Sequence, residues 1–277
     1  MGISAADVKA LRERTGAGMM DCKKALQETG GDLESAIDLL RSRGAAKAAK
    51  RAGRETAEGA VASYVEDGIA SLVELNCETD FVARTDDFQA ATRDLARHVA
   101  LHGGGIDGEV GGEAVLSQRF MGGDTSVGDT ITAVSAKTGE NVVVRRAARF
   151  ESAGGPLSSY VHMTGKIGVL VELAGAADVD VARDVAMHIA AARPLAVTSA
   201  DIPAEVVERE RAVYLEQVRQ EGKPEHIQEK IVEGKLRKFY QEQTLMEQAF
   251  VRDPDRTVSQ MLGGATVKRF VRFELGE

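Results

Sequence analysis

The sequence predicts an α+β protein with a three-helix head, a duplicated core of antiparallel hairpins packed on helices, and an inserted pair of charged helices. Three observations carry this expectation. Apolar residues recur at helical spacing over residues 4–43, the period shifts towards alternation from residue 59, and a pattern found at 63–100 returns 90–98 residues later.

In the head, Val8 and Leu11 lie on one face of a first helix that stops before Gly16-Ala17-Gly18. Asp21 is placed to cap a second helix presenting Ala25 and Leu26, with Met19-Met20 in the loop before it. After Gly30-Gly31, Asp32 is placed to cap a third, with Leu33, Ala36, Ile37 and Leu40 on its apolar face. Ala45–Arg54 carries Lys47, Lys50, Arg51 and Arg54 on an alanine-rich background, and reads as a basic, solvated linker helix.

The core opens with Val61, Ser63 and Val65, a turn at Glu66-Asp67-Gly68, and a β-rich run from Ile69 to Leu75, together a hairpin. A helix from about Asp86 follows, with Phe88, Ala91, Leu95 and Val99 on one face and Gln89 placed to complete a capping arrangement. The glycine-rich residues 103–128 read as a loop around one short helix, and Val142–Phe150 as a strand. The second copy repeats Ser63-Tyr64-Val65 as Ser159-Tyr160-Val161 and Leu72-Val73-Glu74-Leu75 as Leu170-Val171-Glu172-Leu173. Asp94, Ala96, His98 and Ala100 recur as Asp184, Ala186, His188 and Ala190. The repeat is too long for a solenoid unit of ~20–50 residues.

The copies differ between strand and helix, where the first has 18 residues (76–93) and the second 10 (174–183). Even with Val82-Ala83-Arg84 aligned to Val181-Ala182-Arg183, Phe81 faces Asp180, so the extra segment looks added for a task. Residues 204–221 and 224–243, joined by Gly222-Lys223-Pro224, predict an antiparallel coiled-coil arm interrupting the second copy. Val207, Tyr214 and Val218 face Ile227, Ile231 and Leu236, and Val267–Leu275 closes the chain as a strand. The expected boundaries are 1–54 for head and linker, 55–155 for the first core subdomain, and 156–277 for the second with its arm at 203–243.

Composition narrows the function. The chain has 277 residues, 43% hydrophobic and 28% charged, with a net charge of −8. Residues 1–54 hold 11 basic and 7 acidic side chains, a weak basic excess rather than a concentrated stripe for nucleic acid. With 4% aromatics and no Trp, base-stacking surfaces are not expected either, and protein partners are. The longest apolar run is too short for a membrane span, no secretory signal opens the chain, and two distant cysteines fit a reducing cytosol.

Catalytic signatures fail one by one, so no enzyme is expected, nor a cofactor or metal. Gly103, Gly105 and Gly108 spell a dinucleotide pattern, but a helix precedes them where a strand is needed. Gly165-Lys166 lacks the upstream glycine of a phosphate loop, and His98 with His102 has no evident third zinc ligand. Cys22 and Cys77 lack a local base and read as inert thiols. Thr79-Asp80-Phe81 remains, with two readings: a local staple packing Phe81 inward, or an exposed aromatic beside a carboxylate that probes another protein. Met19 and Met20 pose the same choice between capping a small core and forming an adaptable contact surface.

Leu11–Leu26 (LRERTGAGMMDCKKAL) and Asn76–Ala83 (NCETDFVA) resemble the two signature segments of the translation elongation factor Ts family. Ile189-Ala190-Ala191, Lys230–Lys235 and Arg269–Glu274 extend the resemblance along nearly the whole chain. It implies a ubiquitin-associated-like head, a duplicated α+β core, a coiled-coil protrusion, and guanine-nucleotide exchange on elongation factor Tu. On that resemblance Thr79, Asp80, Phe81 and Val82 bind the GTPase domain, with Asp80 and Phe81 entering it to disturb the magnesium and phosphate contacts holding GDP. Lys9, Arg12, Met19 and Met20 meet the same domain from the head, and His162 matches a second-copy contact position. A homodimer or a 2:2 complex is compatible with the arm. Rival readings are a scaffold whose head binds a peptide or ubiquitin-like domain while the arm oligomerises, and a metal enzyme on the His98–His102 face.

Overall fold

The two copies of the repeat meet sheet to sheet in the computed structural model, which describes residues 3–152 and 154–277. The head comes first. Ser4 caps α1 (Ala5–Thr15): Asp7 N–H donates to Ser4 Oγ (3.2 Å) while Asp7 accepts from Ser4 N–H (3.0 Å), a reciprocal capping box. Helix α2 (Met19–Glu28) starts straight after Gly18, which corrects two expectations. Asp21 is not the cap but sits in the first turn, where it pairs with Lys47 at 3.1 Å; Met19 and Met20 are helical rather than loop residues. Asp32 does cap α3 (Leu33–Arg51), accepting from Ser35 N–H at 2.7 Å. Val8, Leu11, Cys22, Ala25, Leu26 and Ala36 form the head's small buried core.

The basic stretch after Arg43 is helical but is the second half of α3, and it is not simply solvated. It lies along α7 (Val127–Thr138), where Gly44 abuts Ala136, Arg41 pairs with Asp129 at 2.9 Å and Arg51 donates to Ser135 O at 2.9 Å. Helix α7 corrects the reading of its region. Its capping box, Ser126 with Asp129, and its left-handed stop at Gly139 were legible but lay at the margin of a glycine-rich segment. That segment holds strand β3 (Gly108–Gly111), the short α6 (Glu113–Leu116) and a 3₁₀ turn at Phe120–Gly122.

In the first copy, β1 (Glu58–Glu66) and β2 (Ile69–Cys77) pair through Asp67 (φ +45°) and Gly68 (φ +77°). Two central residues with positive φ make the tight turn whose twist matches a hairpin. Strand β4 (Val143–Glu151) joins β2, giving the order β1-β2-β4-β3, and α5 (Asp86–His102) covers the outer face. Thr85 caps α5; Gln89 does not complete the cap but donates to Ala83 O at 2.7 Å.

In the second copy, β5 (Leu157–Val161), β6 (Ile167–Ala174) and β9 (Thr266–Glu274) form one sheet under α8 (Val179–Ala192). Between α8 and β9 come α9 (Ala204–Gln220), α10 (Glu225–Gln243), the small β7 (Ala249–Phe250) and β8 (Asp253–Thr257) ribbon, and α11 (Val258–Leu262). Helices α9 and α10 fold back on each other through Tyr214, Val218, Val232 and Leu236. Their root packs on Ala196 and Ile202 of the same chain.

Val61, Leu72, Phe150, Leu170 and Phe273 fill the layer between the sheets. Both faces of β2 and β6 are therefore buried, which explains their near-continuous apolar runs in antiparallel sheets. At Gly168 the sheets approach so closely that a Cβ would lie 2.5 Å from Val61 Cγ1 and 2.8 Å from Leu72 Cδ1. The repeat also carries a reciprocal lock. Both copies have a register shift after the repeated glutamate, Glu74 or Glu172. Arg146 bonds Glu74 (2.7 Å) and lies 4.4 Å from the Phe273 ring of the opposite sheet; Arg269 bonds Glu172 (2.6 Å) and lies 4.2 Å from Phe150. Burial alone would raise the Glu172 carboxyl, but the bonds from Lys268 and Arg269 outweigh it and hold it below the ordinary range.

The repeated histidines are structural. Nδ1 of His98 accepts Met121 N–H (3.0 Å), which leaves the proton on Nε2 facing Gln118 Oε1 (3.0 Å). His188 repeats this with Val251 N–H (3.2 Å) and Gln248 Oε1 (2.9 Å). Neither nitrogen of His98 is left for zinc, so the His98–His102 metal reading falls; these rings stack with centroids 5.6 Å apart. Burial pushes both histidines below their ordinary value, with His102 adding to the effect at His98 while the glutamines oppose it. The unfolded chain therefore takes up protons at a higher pH than the folded one. What these histidines contribute to stability is present above about pH 6.5 and is lost as pH drops below it. We expect the melting temperature to fall between about pH 7.5 and pH 5.5, and to fall less in the His98→Gln/His188→Gln variant. An equal fall in both would remove these histidines as the cause.

Candidate functional site

The segment between β2 and α5 is where the copies diverge, and it is built in layers. Cys77 ends β2 with its thiol buried and donating to Thr79 O at 3.2 Å. Burial, with help from the nearby Glu140 charge, pushes that thiol up to about 12, so it stays protonated and inert at neutral pH. Thr79 then caps a single helical turn, α4 (Asp80–Ala83), accepting from Val82 N–H at 3.4 Å. Ala83 is buried and Val82 packs on the first core, so the preceding residue is turned outward. Phe81 is 81% exposed, and the inward staple is overturned. Asp80 pairs with Arg84 at 2.9 Å, an exposed bridge worth about 0–1 kcal/mol and easily opened.

The turn is held from behind. Glu140, after α7, accepts Glu78 N–H and Thr79 N–H on Oε2 (3.0 Å each) and the Thr79 hydroxyl on Oε1 (2.6 Å). Glu78 returns the contact by accepting Asn141 N–H at 2.6 Å; that bond, with Arg54 at 3.3 Å adding to it, holds the Glu78 carboxyl below the ordinary range. The exposed aromatic thus sits on a turn tied from both sides.

The structure brings a second loop to the same end of the molecule. Lys166 reaches Glu58 at 2.7 Å, and Glu58 is paired with Cys77 at the base of the turn. In that loop His162 is half-buried, its Nδ1 3.1 Å from Tyr160 Oη, while the neighbouring Met163 is 93% exposed. Lys9, Arg12, Met19 and Met20 lie elsewhere, on the head. Lys9 faces Glu13 at 3.7 Å, Arg12 is exposed, and Met19 and Met20 are 57% and 62% exposed. Lys137 connects the two regions: it packs against Gly16 between α1 and α2, and pairs with Asp87 at the start of α5 at 2.7 Å.

A family model described as elongation factor TS matches residues 78–277, starting at the residue before Thr79 and running to the last residue. The chain belongs to the elongation factor Ts family. Among its relatives, the elongation factor Ts of Alkalilimnicola ehrlichii is 51% identical, covering 100% of this chain and 93% of the relative. Those of Methylococcus capsulatus and Clostridium perfringens are 49% and 45% identical, covering 100% and 99% of this chain and 93% of each relative. The architecture is mixed helical and antiparallel, and membership of the family supports a role in translation elongation. No described helix is long and apolar enough to cross a membrane. Among the described residues no cluster of three or more His, Cys, Asp or Glu is placed to hold a metal.

Sequence reasoning missed Glu140, Asn141 and Met163. Glu140 lies 61 residues from Thr79, and no local pattern announces that pairing. Met163 had a weak signal: a large apolar residue at a hairpin tip, between His162 and Thr164-Gly165.

Proposed function

We propose that this chain is a guanine-nucleotide exchange factor that binds elongation factor Tu in its GDP-bound or nucleotide-free form and drives GDP release. The observation that carries the reading is the exposed Phe81 ring on its braced turn. Thr79, Asp80, Phe81 and Val82 bind the GTPase domain there, with the Asp80-Phe81 turn entering it and disturbing the magnesium and phosphate contacts that hold GDP. Lys9, Arg12, Met19 and Met20 add a second contact from the head, and His162 a third from the second copy. The three elements correspond to the head, first and second core subdomains at 1–54, 55–155 and 156–277, with the arm at 203–243 free to pack on its own core, a second copy or the GTPase. A homodimer and a 2:2 complex both fit that arrangement.

The physics asks for no catalytic side chain and no cofactor. Coupling is reciprocal: a factor that weakens GDP binding by some ratio is weakened by GDP in the same ratio, and each ~1.4 kcal/mol changes that ratio tenfold. Burying one phenylalanine is worth ~1.5–3 kcal/mol, so few contacts suffice. The test follows fluorescent GDP leaving purified elongation factor Tu. Adding this chain in catalytic amounts is expected to accelerate release at least about a hundredfold. Unchanged release would defeat the proposal, and binding insensitive to GDP would favour the scaffold reading.

A further inference from the structure

We infer that Glu140 is a positioning residue for the Phe81 turn, acting through the backbone that carries the ring. The inference rests on the proposed insertion of Phe81. Glu140 belongs to neither the turn nor its neighbouring strands. It projects from the connection between α7 and β4 and ties two consecutive peptide N–H groups and the Thr79 hydroxyl with one carboxylate. The Thr79 hydroxyl oxygen in turn accepts Val82 N–H, so the carboxylate fixes both the entry and the cap of α4. Charge-assisted bonds of this kind are stronger than neutral ones and set direction as well as distance.

The second copy supplies an internal control. There the connection into the last strand, between α11 and β9, is Gly263-Gly264-Ala265, with no carboxylate. The strand-to-helix connection packs on it directly: a Cβ on Gly175 would lie 3.2 Å from Ala265 Cα. No aromatic is held out on that side, where β6 leads directly into α8 with no counterpart of α4. The copy with a carboxylate at this junction is thus the copy with a projecting turn. A probe entering another protein must be ordered beforehand, because ordering it on contact would subtract from binding.

Two measurements on the full chain test this. In amide hydrogen exchange, Glu140→Ala should speed exchange across residues 79–84 at least about fivefold while β1 and β2 keep their protection. In the GDP-release assay Glu140→Ala should slow exchange at least about fivefold, and Glu140→Gln no more than about twofold, since the amide oxygen still accepts the two N–H groups. In an Asp80→Ala/Phe81→Ala background, Glu140→Ala should change the rate by less than about twofold. If Glu140→Ala does not fold, Glu140→Asp, which keeps the charge but shortens the reach, takes its place with the same expectations. Unchanged exchange at 79–84, or equal slowing with and without Phe81, would overturn the inference. The hydrogen-exchange arm needs no partner, so its result stands apart from whether this chain acts on elongation factor Tu.

Discussion

Phe81→Ala is expected to slow the GDP release promoted by this chain at least about tenfold, equivalent to ~1.4 kcal/mol, without loosening the fold. The two halves of that expectation come from the same geometry. A ring exposed to 81% contributes little to its own subunit, and substitutions away from packed features usually change stability by less than ~0.5 kcal/mol. The same ring, once covered by a partner, recovers ~1.5–3 kcal/mol of apolar burial, enough to span one to two decades in rate. Stopped-flow release of fluorescent GDP, read beside thermal unfolding of the variant, separates the halves. A variant that melts normally and exchanges normally would take Phe81 out of the mechanism. One that melts early would return it to the core.

The largest expected loss of stability lies at the interface of the sheets. Arg146→Met removes the guanidinium bonded to Glu74, whose side chain is 1% exposed and whose Oε1 has no hydrogen bond among the described residues. Breaking a buried ion pair on one side costs about 3–5 kcal/mol, because the remaining charge stays dry. The Phe273 ring loses its guanidinium as well. The Glu74→Leu/Arg146→Met pair should recover most of the loss, since two apolar groups leave no charge unpaired. Arg269→Met should be milder: Glu172 keeps Lys268 at 2.9 Å. Denaturant midpoints for the four proteins check the ranking, and equal losses at Arg146 and Arg269 would show that loss of the Arg146–Glu74 pair is not the cause.

Much of the architecture was legible because its causes are local. Asp67-Gly68 closes a hairpin by its own backbone preference, and Asp32 caps a helix by reaching three residues along the chain. Where local signals competed, the reading slipped by a few residues. Gly18 rather than Asp21 opens α2, and the glycines of 103–128 hid a strand and the capping box of α7. The candidate site was legible in identity but not in attitude. The sequence singled out Thr79-Asp80-Phe81 as the difference between two copies, yet left the ring's direction open. That direction depends on Val82 and Ala83 finding the first core and on a carboxylate 61 residues away.

By itself, then, the sequence determined the class of fold, the duplication, the inserted helical pair and the segment by which the two copies differ, because periodicity, caps and repeats act over a few residues. Only the tertiary structure decided that the two sheets press together through Gly168 and the crossed arginines, that the basic stretch of α3 is a seam against α7, and that Phe81 faces outward. Those outcomes depend on groups distant in the chain competing for the same buried space, and no stretch of sequence carries both competitors.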